Sequence, residues 1–266
     1  MTGYIRYRPG VVTLSFLFHL ITFYPMAAQS PGTCDPATGL CYPYPAEASA
    51  PPPEIASTGR EIIYVGDPMC SWCWGISPAL NRLKHEAEQA GMTYRIVVGG
   101  LRPGGGDPWT TQFKEFLQHH WEEVHERSGQ PFGYDLFERA QFEYDTEPAC
   151  RAVVATRTMD PAVESRFFEW VQHYFYVQNQ DPKSVEFYEP ICQAMNLDFK
   201  TFSDLFESEA IRQATQADFQ LNRQWGVRGF PTVIFRDGDK LYAIARGFAT
   251  FEQMWAAVEQ LSQEQD

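Results

Sequence analysis

The chain has 266 residues, 44% of them hydrophobic and 15% aromatic, and carries a net charge of −13 at neutral pH. That length can bury a sizeable core in one or two domains. The acidic balance excludes the basic stripe of a nucleic-acid binder and a polybasic membrane anchor, so no nucleic acid is expected among the partners.

Residues 1–28 read as a secretory leader and not as part of the fold. Arg6 and Arg8 form a positive segment, Val11 to Tyr24 is an apolar run broken by Pro25, and Ala27 and Ala28 supply small residues for cleavage. Met26 stands where a small residue is preferred, so an uncleaved anchor is the competing reading. The run is shorter than the roughly 20 residues a spanning helix needs. The expectation is a periplasmic or secreted protein with no stable membrane insertion once the leader is removed. In such a compartment disulfides persist.

Residues 29–59 read as a linker, with Pro31, Pro36, Pro43, Pro45, Pro51, Pro52 and Pro53 and little apolar periodicity. Cys34 and Cys41 flank an Asp-Pro-Ala-Thr-Gly-Leu turn signal. Three readings stay open for them: a local disulfide, a second redox pair that exchanges electrons with the cysteines downstream, or a soft-metal site.

Glu61 to Gly66 predicts a strand, Gly75 to Ala90 a helix ended by Gly91, and Thr93 to Val98 a second strand. This β-α-β order implies a parallel pair. Leu101 to Trp109 is a loop rich in glycine and proline. Helical patterns follow: Phe113, Phe116, Leu117, Trp121 and Val124 on one face, then Pro148 to Met159, then Val163, Phe167, Val171, Tyr174 and Phe175. Val185 to Met195 and Phe202 to Phe206 add two shorter helices. Strands return at Thr232–Phe235 and Leu241–Arg246 around Asp237-Gly238-Asp239, a hairpin signal. A last helix runs from Thr250 to about Leu261.

Between the first strand and its helix lies Cys70-Ser71-Trp72-Cys73. Disulfide exchange needs a thiolate, and an ordinary thiol is only about 3% ionised at pH 7. The NH groups of a helix's first turn carry partial positive charge and favour an anion there. Cys70 is thus the expected nucleophile. Cys73, one turn later on the same face, resolves the mixed disulfide. Half of a zinc site is the rival reading, with His119, His120 and His125 available, but those histidines lie on a helix better explained by its aromatic face. No metal and no organic cofactor are expected. Cys150 and Cys192 fall in helical patterns, either as small apolar core residues or as a disulfide.

Cys70-Ser71-Trp72-Cys73 followed by Trp74-Gly75, the long helical interruption, and Gly229-Phe230-Pro231-Thr232 together resemble the thioredoxin superfamily, in particular its DsbA-like branch. Asp67 to Gly75 resembles a bacterial group described as predicted protein-disulfide isomerases, and Thr146 to Arg151 resembles the helix-opening segment of the insertion in related proteins. The resemblance implies an α/β thioredoxin fold over 60–100 and 210–266, with a large helical domain, 101–209, inserted between its β-α-β and α-β-β-α halves. It implies a cis Pro231 that faces the cysteines and leaves the Phe230 backbone to pair with a bound peptide strand.

Two departures stand out. Many thioredoxin-like domains carry a buried acid six residues before the first cysteine, where this chain has Tyr64; Asp67 is the nearest carboxylate, as a proton relay or as a cap of the turn. The Ser71-Trp72 dipeptide differs from the Pro-His of strongly oxidising members, so no redox potential carries over. Trp72 and Trp74 either form an apolar surface for unfolded substrates or pack against the helical domain.

The expectation is an exported protein disulfide oxidoreductase or isomerase acting on cysteine-containing protein substrates with an unknown redox partner protein. The rival class is an adaptor or metal-handling protein that uses the cysteines as ligands. A third, a small-molecule isomerase or glutathione transferase on the related fold, is opposed by Cys73.

Overall fold

The computed structural model describes residues 59–263, together with the backbone of residues 34–35 and 40–41. The leader, nearly all of the linker, and the side chains of Cys34 and Cys41 lie outside the described residues. Within residues 1–53, Cys34–Asp35 (β1) and Leu40–Cys41 (β2) pair antiparallel, with Cys34 opposite Cys41.

In the remaining unit, four strands form one mixed sheet: Arg60–Gly66 (β3), Thr93–Val98 (β4), Thr232–Asp237 (β5) and Lys240–Arg246 (β6). The order is β4-β3-β5-β6. β3 runs parallel to β4 and antiparallel to β5, and β5 pairs antiparallel with β6 across a bulge at Val233/Ile234. β3 is buried along nearly its whole length, as a strand covered on both faces must be. Ile63, Val65, Val97 and Ile234 form a cluster with Leu221, Trp225, Val227 and Phe230 packed against it. Strand alternation sends Ile62 and Tyr64 to the opposite face, where the Tyr64 ring meets Phe168 edge-on at 5.6 Å.

The helix after β3, Ser71–Gln89 (α1), starts four residues earlier than Gly75, where the sequence pattern placed it. No side chain caps it, so the first turn, where the cysteine pair was expected, carries no capping signal of its own. Cys70 occupies the N-cap in extended conformation, and its carbonyl accepts from the NH groups of Cys73 (2.9 Å) and Trp74 (3.1 Å). α1 also tolerates Gly75 and Pro78, for separate reasons. A Cβ on Gly75 would lie 2.8 Å from Val124 Cγ1, so the glycine lets the next helix approach. Pro78 has no NH to give the Trp74 carbonyl. That carbonyl accepts instead from Ser77 Oγ (2.9 Å) and Gln130 Nε2 (3.0 Å).

Five α-helices follow β4: Thr111–Ser128 (α2), Glu147–Met159 (α3), Glu164–Tyr176 (α4), Glu189–Ala194 (α5) and Phe199–Phe206 (α6). The Val185–Met195 pattern resolves into a 3-10 turn and the short α5. Aromatic rings fill this layer, with Trp121 against Phe132, Phe137, Phe175 and Tyr176. Glu209–Gln224 (α7) leads back to β5, and Phe251–Gln263 (α8) closes the described chain. Arg157 of α3 bonds Glu164 (2.6 Å), Asp218 (2.9 Å) and the Ile96 carbonyl (3.0 Å), so one guanidinium fastens the helical layer to the sheet. No helix among the described residues is long and apolar enough to cross a membrane.

Candidate active site

The end of β3, the start of α1 and the loop before β5 converge on Cys70. Its thiol donates to the Phe230 carbonyl at 3.6 Å, across a chain separation of 160 residues. The Phe230–Pro231 peptide bond is cis. A Cβ on Gly99 would lie 2.6 Å from the Phe230 ring, so that glycine makes room for the ring against the end of β4. Cys70 is 6% exposed and Cys73 is fully buried. Both are free thiols. Burial, reinforced by a hydrogen bond with Cys70, pushes the Cys73 thiol well above its ordinary pKa.

Asp67, fully buried, organises the turn between β3 and α1. One carboxylate oxygen accepts from Met69 N at 2.8 Å; the other accepts from Leu101 N at 2.6 Å and from the Cys150 thiol at 3.4 Å. Its own NH donates to Cys73 Sγ at 3.5 Å. Burial raises the Asp67 pKa, against the lowering effect of the Leu101 and Met69 NH groups. Of the two roles open in the sequence, these bonds are those of a cap that braces three segments. Tyr144 adds a fourth tie, donating its hydroxyl to the Met69 carbonyl at 2.9 Å. The Arg102 NH is held by Thr146 Oγ1 at 3.0 Å.

The two tryptophans part company. Trp72 remains partly exposed and touches Phe248, with ring centroids 6.0 Å apart. Trp74 is 4% exposed, stacks on Tyr176, and donates Nε1–H to the Pro131 carbonyl at 3.0 Å. It packs against the helical layer and offers no face to substrate, which corrects its place among the substrate-binding candidates. Cys150 and Cys192 are separate buried thiols and not a disulfide. Sequence reasoning placed Cys150 in the core but missed its contact with Asp67. The one signal was the Thr146–Arg151 segment itself. Among the described residues, no cluster of three or more His, Cys, Asp or Glu side chains is arranged to hold a metal ion.

Residues 63–247 match the thioredoxin family model. A solved structure from Nitrosomonas europaea, provisionally assigned as a protein disulfide isomerase, is 32% identical; the match covers 78% of this chain and 99% of that one, with a TM-score of 0.72. The cytosolic disulfide reductase DsbM from Pseudomonas aeruginosa shares the fold at 22% identity, covering 76% of this chain and 99% of that one, with a TM-score of 0.62. The ClpXP adapter protein SpxH of Shouchella clausii is 26% identical over 206 residues. That match covers 76% of this chain but spans only 65% of the relative's length. The family match runs from within β3 to just past β6 and so takes in both the cysteine turn and the cis-proline loop: the chain belongs to the thioredoxin family.

Proposed function

We propose that this protein is an exported thiol–disulfide oxidoreductase that exchanges disulfides with cysteine-containing proteins. The observation that carries the reading is the placement of the Cys70 sulfur on the carbonyl that precedes the cis proline, with Cys73 directly behind it. A substrate thiolate attacks the Cys70 sulfur of the Cys70–Cys73 disulfide. The S–S bond breaks, and Cys73 leaves with the electron pair and takes up a proton. A second substrate thiolate then attacks the substrate sulfur of the mixed disulfide, closes the substrate's bond and releases Cys70 as thiolate. A redox partner protein removes the two electrons and restores the pair. The reverse sequence reduces a substrate disulfide by the same atoms.

An open groove of about 660 Å³ supports a polypeptide substrate. It begins at Phe230 and Thr232, continues over Trp225, Val227, Ile234 and Leu241, and carries Arg228 and Arg246 beside them. Trp72 lies two residues after Cys70 in the chain and keeps partial exposure. Export rests on the leader pattern of residues 1–28.

The likeness to SpxH supports one alternative, a protein-binding adaptor in which the cysteines do not turn over. One experiment separates the two. The oxidised protein is incubated with a reduced, unfolded protein rich in cysteine, and thiol loss on the substrate is followed against appearance of thiols on Cys70 and Cys73. Stoichiometric transfer, abolished by Cys70→Ser, is the expected result. Absence of transfer, with partner binding unaltered by Cys70→Ser, would establish the adaptor. The equilibrium of the pair against glutathione then sets the direction, and fractionation with N-terminal sequencing tests export.

A further inference from the structure

Cys73 has no obvious place to put its proton. It is fully buried and its thiol form is strongly favoured, yet it must attack as a thiolate. The β3 residue facing it, Tyr64, is not a carboxylate. Behind Cys73, however, lies a cavity of about 20 Å³ lined by Tyr64, Ser77, Asn81, Glu169 and Gln172. One water needs roughly 10–15 Å³, together with polar partners.

Such partners line this cavity. Gln172 is fully buried, and neither its amide oxygen nor its amide nitrogen has a hydrogen-bond partner. The Tyr64 hydroxyl faces Cys73 and makes no other hydrogen bond. Gly66 permits this placement, because a Cβ there would fall 2.2 Å from the Tyr64 hydroxyl. Leaving the buried Gln172 amide unsatisfied is costly, which favours a water in this cavity. Glu169 lines the same cavity and keeps partial access to solvent.

We propose, on the reading of this protein as a disulfide exchanger, that Tyr64, a water held by Gln172 in this cavity, and Glu169 form the route by which the Cys73 proton leaves. When Cys73 attacks the mixed disulfide on Cys70, its S–H bond breaks toward the Tyr64 hydroxyl or the water. The proton ends on the Glu169 carboxylate, and the sulfur's electron pair forms the Cys70–Cys73 bond. The substrate sulfur leaves as thiolate. In the opposite direction Glu169 returns the proton to the departing Cys73. The carboxylate of this route thus comes from α4 of the helical layer.

Electrostatics suit the task. Burial raises the Glu169 carboxyl from its ordinary 4.5 to about 7, opposed by a hydrogen bond from Asn81 and by the charge of Lys84. The other charged or titratable groups around it are Tyr94 of β4, which feels Glu169, Glu164 and Glu88, and Glu164 itself, which feels Lys84. An acid with a pKa near the working pH both accepts and returns protons efficiently.

The test uses the full chain, reduced, and a single turnover against glutathione disulfide. Acid quenching and mass analysis separate two phases: formation of the Cys70–glutathione adduct, and its resolution by Cys73. In wild type the second phase is expected to inflect near pH 7. Glu169→Gln should remove the inflection and slow resolution roughly tenfold to a hundredfold at pH 7.5, Glu169→Asp should restore part of it, and Tyr64→Phe should slow it comparably. The first phase should be unchanged in all three. If Glu169→Gln fails to fold, Gln172→Leu, which fills the cavity with apolar volume, carries the same expectation. Resolution rates and pH profiles identical to wild type overturn the relay while leaving exchange intact. A wild-type protein that forms no adduct overturns the exchange reading itself, and the relay with it.

Discussion

The two faces of the cysteine pair are built differently. The face toward substrate comes from short, contiguous segments: Cys70 at the start of α1, and Phe230-Pro231 in the loop before β5, meeting at one 3.6 Å contact. The face away from substrate is assembled from single residues spread over the chain. Tyr64 comes from β3, Asp67 from the turn, Cys150 from α3, and Glu169 and Gln172 from α4. The first face needs exposure and a defined backbone, which a short motif encodes. The second needs burial and matched polar groups, which only tertiary packing provides. A thioredoxin sheet with an inserted helical layer can therefore keep its motif while rebuilding the chemistry behind it.

The comparison can be broken by changes on the rear face, which separate damage to the fold from damage to the motif. Trp74→Ala removes a buried indole that stacks on Tyr176 and bonds the Pro131 carbonyl, and is expected to cost about 3–5 kcal/mol in denaturant unfolding. The rate of Cys70 alkylation in the protein that remains folded should stay near wild type. Asp67→Ala orphans the NH groups of Met69 and Leu101 and should cost about 2–4 kcal/mol. It should also slow both phases of exchange, because the turn that aims Cys70 loses its brace. Undiminished exchange would place Asp67 outside the positioning of the pair.

Two smaller effects sharpen the contrast. The pKa of Glu169 is higher in the folded chain than in the unfolded one, so its stabilising contribution is complete below about pH 4.5 and is lost as pH rises through about 7. Wild type should lose roughly 1–2 kcal/mol from this group between pH 5 and pH 8. Glu169→Gln should flatten that part of the profile; an unchanged profile would mean the carboxyl is not buried in its charged form. Trp72→Ala, on the open face, should change stability by less than about 1 kcal/mol. It should raise KM for a protein substrate and leave the reaction with glutathione disulfide unaltered.

What could be read from the chain follows the same division. Cys70, Cys73 and Pro231 were legible because glycine, proline and paired cysteines mark local geometry. The strands β3, β4, β5 and β6 were legible from β-branched runs and the Asp-Gly turn. The start of α1 was legible through the cysteine pair, which placed Cys70 at its first turn; the residue pattern itself began only at Gly75, because Cys70 leaves its side chain free for chemistry where a capping residue would have given a second signal. Trp74 shared its sequence context with Trp72 and so looked equally available; only Tyr176 and Pro131, more than fifty residues away, decide its burial. Glu169 and Gln172 sit three apart on a helix whose aromatic stripe dominates its pattern. Two polar residues interrupting that buried face were the available signal, but their partner surface belongs to α1 and β3 and has no local signature.

The central claim is that Cys70 meets the substrate and Cys73 waits behind it. The most direct measurement incubates the Cys73→Ser protein with a disulfide-bonded protein and maps the trapped adduct by peptide mass analysis. The account requires one mixed disulfide, on Cys70. A stable adduct on Cys150 or Cys192, or no adduct while wild type still turns over, would contradict it.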